Sequence, residues 1–175
     1  MSTQSAVPDM ALWFKVQAFL YREARLMDDH HLNEWVALFS DDVRYWMPVV
    51  TNRIGRDIGK EVSQFGEVAH FDDNKISLTN RVKRLATGMA WAETPPSRTR
   101  HLVTNVEILE QQPDGHIRVR SNFLIYRSHL EYDYELFSGY REDTLRPEGE
   151  SWSICRRDII LDQAVVTQKN LGIFF

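Results

Sequence analysis

The chain has 175 residues, 43% of them hydrophobic, and this length and composition are typical of a single domain, residues 1–175, with one core. Lysine and arginine number 21 against 25 acidic residues, which gives a net charge of −4 and excludes a polyanion such as nucleic acid as the expected partner. No apolar stretch approaches the ~20 residues of a membrane-spanning helix, so no membrane partner is expected either.

The N-terminal part of the sequence predicts two helices. Residues 1–8 are polar and are expected to be flexible, and Asp9 is expected to cap the first helix. Apolar residues then recur at helical spacing, at Leu12, Val16, Phe19, Leu20, Ala24 and Met27. The residues predicted to lie off this stripe are Lys15, Arg22, Glu23 and Arg25. Asp28 and Asp29 are expected to end the first helix and start a second, whose apolar positions are Leu32, Trp35, Val36 and Phe39.

The middle of the chain predicts a strand, a loop and a third helix. Apolar and polar residues alternate over 43–49, which favours a strand that Pro48 places at an edge or an end. Residues 51–66 are polar and contain two glycines, as expected of a long loop. A third helix is predicted to start at Asp72 or Asp73 and to end near Gly88.

From residue 102 onwards the pattern favours strands joined by turns. Alternating residues predict strands over 102–108, 117–125, 132–145 and 152–161, with turns at 113–115 and 147–149. Helices followed by hairpin-connected strands predict an α+β domain, in which the N-terminal helices pack on a curved antiparallel β-sheet. This element order is similar to that of the cone-shaped, nuclear-transport-factor-2-like (NTF2-like) fold.

Such a cone often encloses an apolar pocket with an acid and a histidine, which isomerases and dehydratases use as a general base. The side chains that suit this role here are Asp29, His31, Asp41, Tyr45 and His101. Against this role, the acids lie at helix ends, where capping explains them. The bulky residues Tyr45, Met47, Phe123, Tyr126 and Phe137 are also expected to fill such a cone.

Metal and thiol chemistry have little support in the sequence. His70 with Asp72 or Asp73 offers ligands to a metal, but a helix cap explains the acids more simply. Cys155, the one cysteine, lies in a predicted strand and is expected to be a buried, inert thiol. A single cysteine forms no intrachain disulfide, and residues 1–10 show no secretory signal, so a cytoplasmic location is expected.

Two segments suggest contacts with a partner. Within residues 81–106, Trp91, Arg98 and Arg100 lie among prolines in a mixed aromatic and guanidinium surface, and such residues are favoured in interfaces. The C-terminal tail, residues 168–175, ends with Ile173, Phe174 and Phe175 and is expected to be docked on its own domain or on a partner.

These segments resemble the β (small) subunits of Rieske non-haem iron aromatic-ring-hydroxylating dioxygenases, of the biphenyl, toluene or phenylpropionate type. The most specific match is Pro95-Pro96-Ser97-Arg98-Thr99-Arg100-His101, which follows the related stretch 87–93. The other matching stretches are 19–24 with 26–29, 42–48, and 157–162 leading to Asn170-Leu171. The resemblance extends from Leu12 to Phe175.

The resemblance implies an NTF2-like cone that assembles with a large α subunit as an α3β3 hexamer. The large subunit of that family holds a Rieske [2Fe–2S] centre and a mononuclear Fe(II). Ferredoxin and reductase partners deliver electrons from NADH, and the complex adds O2 to an aromatic ring to give a cis-dihydrodiol. The small subunit is then expected to be inactive alone, with no catalytic, cofactor-binding or metal-binding residue.

The composition agrees with that expectation, because a Rieske centre requires two cysteines and two histidines and the chain has only one cysteine. Two other hypotheses stay open at this point. One is a free-standing dehydratase or isomerase with a His/Asp base in the cone, and the other is a ligand-binding or adaptor module of the same fold.

Overall fold

The computed structural model describes residues 9–50, 68–87, 95–163 and 172–175. The predicted flexible segment 1–8, the predicted loop 51–66 and the predicted helix end at Gly88 lie outside these residues. The described elements are, in chain order, α1 (Met10–Asp28), α2 (Leu32–Ala37), β1 (Phe39–Pro48), β2 (Ala69–Asp73), α3 (Lys75–Ala86), β3 (Arg98–Gln111), β4 (Ile117–His129), β5 (Asp133–Glu148) and β6 (Ser151–Leu161).

Helix α1 begins where the sequence predicts. The Asp9 side chain accepts hydrogen bonds from the backbone N–H groups of Ala11 (3.0 Å) and Leu12 (3.3 Å), which confirms it as the N-cap. The placement of Glu23 off the apolar stripe is wrong, because its side chain is fully buried. Glu23 follows Phe19 by four residues, and a helix with 3.6 residues per turn therefore brings both side chains to the inner face.

The start of the third helix differs from the prediction. Residues 69–73 form the short strand β2, and the side chain of Asn74 caps α3 by accepting from the N–H of Ser77 at 2.9 Å. The predicted caps, Asp72 and Asp73, instead form ion pairs with arginines. The second helix also ends before Phe39, which opens β1 rather than extending α2.

The strands form one sheet of six in the described chain, in the order β2-β1-β6-β5-β4-β3. Neighbouring strands are antiparallel except β1 and β6, which run parallel, so the predicted antiparallel sheet contains one parallel pair. Register shifts in β1, β3 and β5 mark bulges, and bulges bend a sheet. Strand β5 also continues through Pro147 and Glu148, which the sequence assigned to a turn.

Helix α1 covers the outer edge of β3. The Asp28 carboxylate accepts from the backbone N–H of His101 at 3.0 Å, and the Trp13 indole donates to the carbonyl of Val106 at 2.9 Å. An uncovered edge strand offers unpaired backbone groups to other chains. The contact with α1 protects this edge and also brings Asp28 against His101.

We predict that Gly139→Ala destabilises the protein by about 1–3 kcal/mol, because overpacking forces neighbouring atoms to shift. A Cβ at Gly139 would lie 2.1 Å from the backbone oxygen of Ile160 and 2.9 Å from the ring of Phe123. Chemical denaturation measures the loss. Gly149→Ala is the comparison, since nothing lies within 4 Å of a Cβ there and only its positive φ opposes the change. A larger effect at Gly149 would contradict the prediction.

Candidate functional site

The interior of the cone holds a buried charged cluster. Arg157 donates to Asp143 at 2.7 and 3.0 Å and to Glu23 at 2.7 Å, and Arg141 donates to the other oxygen of Glu23 at 2.6 Å. The indole of Trp35 also donates to Glu23 at 2.8 Å. The charged side chains are at most 1% exposed. This cluster therefore ties α1 to the centre of the sheet at β5 and β6.

The charges of this cluster stabilise one another. Burial by itself raises the pKa of Glu23, but the charges of Arg141 and Arg157 outweigh that effect and lower the pKa to about 2. The pKa of the Arg157 guanidinium is raised, because Asp143 and Glu23 outweigh the penalty of burial. Glu23 and Arg157 are therefore ionised at neutral pH.

We predict that acid destabilises the protein through Glu23. A carboxylate with a lowered folded-state pKa stabilises the fold above its ordinary pKa of 4.5, and this contribution is lost as the pH falls towards about 2. The lost contribution is roughly 3 kcal/mol. Denaturant unfolding measured from pH 6 to pH 2 should show a flatter dependence for Glu23→Gln than for the wild type below pH 4.5. Parallel curves would show that Glu23 does not carry the effect.

The last residues of the chain, 172–175, close this interior. The carbonyl of Ile173 accepts from Arg81 at 3.3 Å, and the carbonyl of Phe174 faces His101 Nε2 at 3.1 Å. A backbone oxygen of Phe175 accepts from Arg157 at 2.9 Å and from the Tyr45 hydroxyl at 3.1 Å. Each of these three backbone oxygens is thus held by a different set of side chains.

The two terminal phenylalanines fill the apolar space between the helices and the sheet. The ring of Phe174 lies 4.3 Å from the ring of Trp35, and Phe175 packs between Phe123 (5.9 Å) and Phe137 (5.6 Å). Both phenylalanines are at most 4% exposed. Burial raises the pKa of the neighbouring Tyr45 to about 12, so its phenol stays protonated and can donate to the tail.

His101 and Asp28 form a buried pair beside the tail. The distance between His101 Nδ1 and Asp28 Oδ1 is 2.6 Å, and both side chains are at most 4% exposed. Burial raises the pKa of Asp28, but hydrogen bonds from His101 and Thr99 and the charge of His101 lower it further than burial raises it. The Asp28 carboxylate and the Phe174 carbonyl are both acceptors, and each lies within hydrogen-bond distance of one ring nitrogen of His101. Both ring nitrogens of His101 are therefore engaged with groups of the chain itself.

The structure separates the residues predicted for a catalytic cone. Tyr45 and His101 reach the interior, but Asp29, His31 and Asp41 are exposed. His31 lies 3.5 Å from Glu34 at the surface, and Asp29 is the C-cap of α1. The acid that meets His101 is Asp28, which sequence reasoning treated only as a helix end.

Of the bulky residues expected inside, Tyr126 points outwards and is 43% exposed, while Tyr45, Met47, Phe123 and Phe137 are buried. A cavity of about 310 Å³ remains near His101, with apolar walls that include Met27, Leu32, Val82 and Ile173. This volume is at the lower end of small-molecule pockets. His101, which lines this cavity, is in contact with Asp28 and with the carbonyl of Phe174.

The carboxylates and the thiol considered for metal and thiol chemistry contact other groups of the chain. Asp72 pairs with Arg44 and Asp73 with Arg81, so the carboxylates near His70 already have cationic partners. In the described residues, no group of three or more His, Cys, Asp or Glu side chains is arranged to hold a metal. Cys155 is half-buried, donates to the carbonyl of Thr144 at 3.2 Å, and has its thiol pKa raised by burial.

The outer face of the sheet carries an exposed apolar region, here called the outer patch. Cross-strand register brings Leu102 opposite Leu124, and Tyr126 opposite both Arg100 and Leu136. The exposed apolar residues of the outer patch are Leu102, Leu124, Tyr126, Tyr134 and Leu136. Two of the predicted interface residues, Arg98 and Arg100, are exposed on this face, while Trp91 lies outside the described residues.

The fold is an α+β cone of the NTF2-like class, and solved oxygenase structures are similar to it. A naphthalene 1,2-dioxygenase structure aligns with a TM-score of 0.84 at 21% identity, covering 98% of this chain and 89% of that chain. The β subunit of a benzoate 1,2-dioxygenase from Burkholderia mallei aligns with a TM-score of 0.69 at 25% identity, covering 90% and 93%. None of the described helices has the length and apolar character needed to cross a membrane.

The family model "Ring hydroxylating beta subunit" matches residues 22–168, and the chain belongs to this family. It is 37% identical to the biphenyl 2,3-dioxygenase subunit beta of Rhodococcus jostii, over 99% of this chain and 94% of the relative. It is 45% identical to the 3-phenylpropionate/cinnamic acid dioxygenase subunit beta of Photorhabdus laumondii, over 94% and 92%. It is 40% identical to a benzene 1,2-dioxygenase subunit beta of Pseudomonas putida, over 94% and 89%. The chain is thus the small subunit of a multicomponent aromatic dioxygenase.

Proposed function

We propose that this chain is a non-catalytic subunit whose role is to assemble the oxygenase. The observation that supports this role is the state of the interior. The tail occupies the space next to the charged cluster, and both nitrogens of His101 already have partners in Asp28 and Phe174. An interior of this kind supports a structural role rather than a catalytic one.

In this proposal three copies of the chain combine with three large subunits, which hold the Rieske [2Fe–2S] centre and the mononuclear Fe(II). The residues of this chain do not fit the first of these groups, since a Rieske centre takes two cysteines and the chain has one. Ferredoxin and reductase deliver electrons from NADH to the complex. A chain without disulfides suits the reducing cytoplasm, where we place the complex.

The substrate class follows from the relatives, which act in oxygenases of biphenyl, phenylpropionate or cinnamic acid, and benzene. We propose cis-dihydroxylation of an aromatic ring, with the substrate bound by the large subunit. The outer patch, with Arg98 and Arg100, is proposed as an assembly surface, because aromatic residues and arginine are enriched in the cores of interfaces.

The experiment is purification of the chain alone and after co-expression with a candidate large subunit, with iron content, native mass and oxidation of an aromatic substrate measured for each species. We expect an iron-free, inactive chain alone and an iron-containing hexamer that oxidises the substrate. The matched control is His101→Gln, which in a structural role leaves kcat per assembled iron unchanged. Turnover by the isolated chain that is lost in His101→Gln would replace this proposal with a dehydratase or isomerase.

A further inference from the structure

The turn between β4 and β5 has an unusual composition. Its residues are Leu130, Glu131 and Tyr132, and the two apolar side chains are 66% and 89% exposed. Leu130 has a φ of +56°, in the left-handed region that normally takes glycine, asparagine or aspartate. A bulky apolar residue held in that region and facing solvent is strained without any gain for the isolated domain, and such strain points to function.

A groove lies where α1 meets strands β3 and β4. It encloses about 720 Å³, and its walls include Tyr21, Leu102 and Leu124, which are 40–49% exposed. Arg25 and Arg100 also line it. The side chain of Arg100 is 71% exposed, and its contact with Asp28 spans 3.7 Å, so most of its charge faces solvent.

The turn and the groove are complementary in polarity and in charge. The turn presents two apolar side chains that flank the carboxylate of Glu131, and Glu131 forms no ion pair within the part of the chain that the structure describes. The lining of the groove combines apolar side chains with two guanidinium groups. Opposite charges at the border of an apolar contact fix its register and orientation.

We infer that the β4–β5 turn of one copy inserts into this groove of the next copy, with Glu131 against Arg25 and Arg100. The contact joins two different surfaces, so it is heterologous, and heterologous contacts build either closed rings or open filaments. Leu124 in the groove and Leu130 in the turn belong to the same hairpin and are about 20 Å apart along the chain direction. The closure at three copies rests on the proposed function.

The first test is disulfide trapping in the full chain co-expressed with the large subunit. A variant with Tyr132→Cys and Leu124→Cys joins neighbouring copies if the turn occupies the groove, and a closed ring gives a covalent trimer on a non-reducing gel. Either substitution alone is the control and should give no trimer, because the remaining native thiol, Cys155, is half-buried. Products that stop at two copies, or that extend beyond three, would overturn the ring.

The second test is a charge exchange read by native mass. Arg100→Glu and Glu131→Arg should each weaken the association of small subunits about tenfold, since each places like charges together. The double variant should recover most of the loss, which a general loss of folding would not allow. Failure of the double variant to recover would overturn the contact.

The two proposals fail in different ways. An active hexamer whose paired cysteines do not cross-link would overturn the turn-in-groove contact and leave the proposed function intact. Covalent trimers of a chain that never binds a large subunit would support the contact and overturn the proposed function.

Discussion

Replacement of Arg157 by methionine should lower the free energy of unfolding by about 3–5 kcal/mol, the usual cost of removing one partner from a buried ion pair. Methionine keeps an unbranched apolar side chain, but it leaves Asp143 without its two hydrogen bonds from Arg157 and Glu23 with one guanidinium instead of two. A backbone oxygen of Phe175 also loses a donor. Urea denaturation of the isolated chain, followed by tryptophan fluorescence, measures the change.

The neighbouring residue provides a matched control for that prediction. Arg156 also pairs with an aspartate, Asp158, at 2.8 Å, but its side chain is 54% exposed. Exposed pairs contribute at most about 1 kcal/mol, so Arg156→Met should have a small effect. Equal denaturation midpoints for the two variants would show that the buried cluster does not hold the sheet and α1 together.

Phe175→Ala should be the second large perturbation, at about 3–5 kcal/mol, because it empties a packed site between Phe123 and Phe137. Phe175→Leu should recover much of this loss, since it keeps most of the apolar volume. Thermal and urea unfolding of the three proteins give the comparison.

Phe14→Ala is the corresponding control, as Phe14 is 59% exposed on α1 and should change stability by no more than about 0.5 kcal/mol. If Phe175→Ala were as mild as Phe14→Ala, the tail would be an appendage rather than part of the core. In that case the tail would not be what fills the interior.

Local periodicity was enough to predict most of the secondary structure. Patterns among neighbouring residues are enough to predict the cap at Asp9, the apolar spacing of α1, the turn at Gly115 and the alternation in β4. Strand β2 was missed because its five residues have no clear alternation, and its acids imitate a helix cap. The parallel pairing of β1 with β6 depends on contacts across the whole chain, which no local pattern encodes.

The candidate site was less predictable than the fold. A helical-wheel count would have placed Glu23 inside, but its partners, Arg141 and Arg157, come more than 100 positions later. Asp28 does end α1, as predicted, but its contact with His101 could not be predicted because that contact requires the packing of α1 on β3. Arg98 and Arg100 were proposed as interface residues from residue type alone, and their placement on the outer face required the register of the sheet.

The position of β6 between β1 and β5 has a kinetic consequence. Strands β3, β4 and β5 can pair by short turns as they emerge, but β1 joins them only through β6, and Ser40 meets Ile154 across 114 positions. Closing so long a loop is slow, and it comes late in synthesis. Until residues 151–161 are made, the apolar side of β1 has no sheet to join. Translation pauses before that point should therefore favour aggregation of the nascent chain.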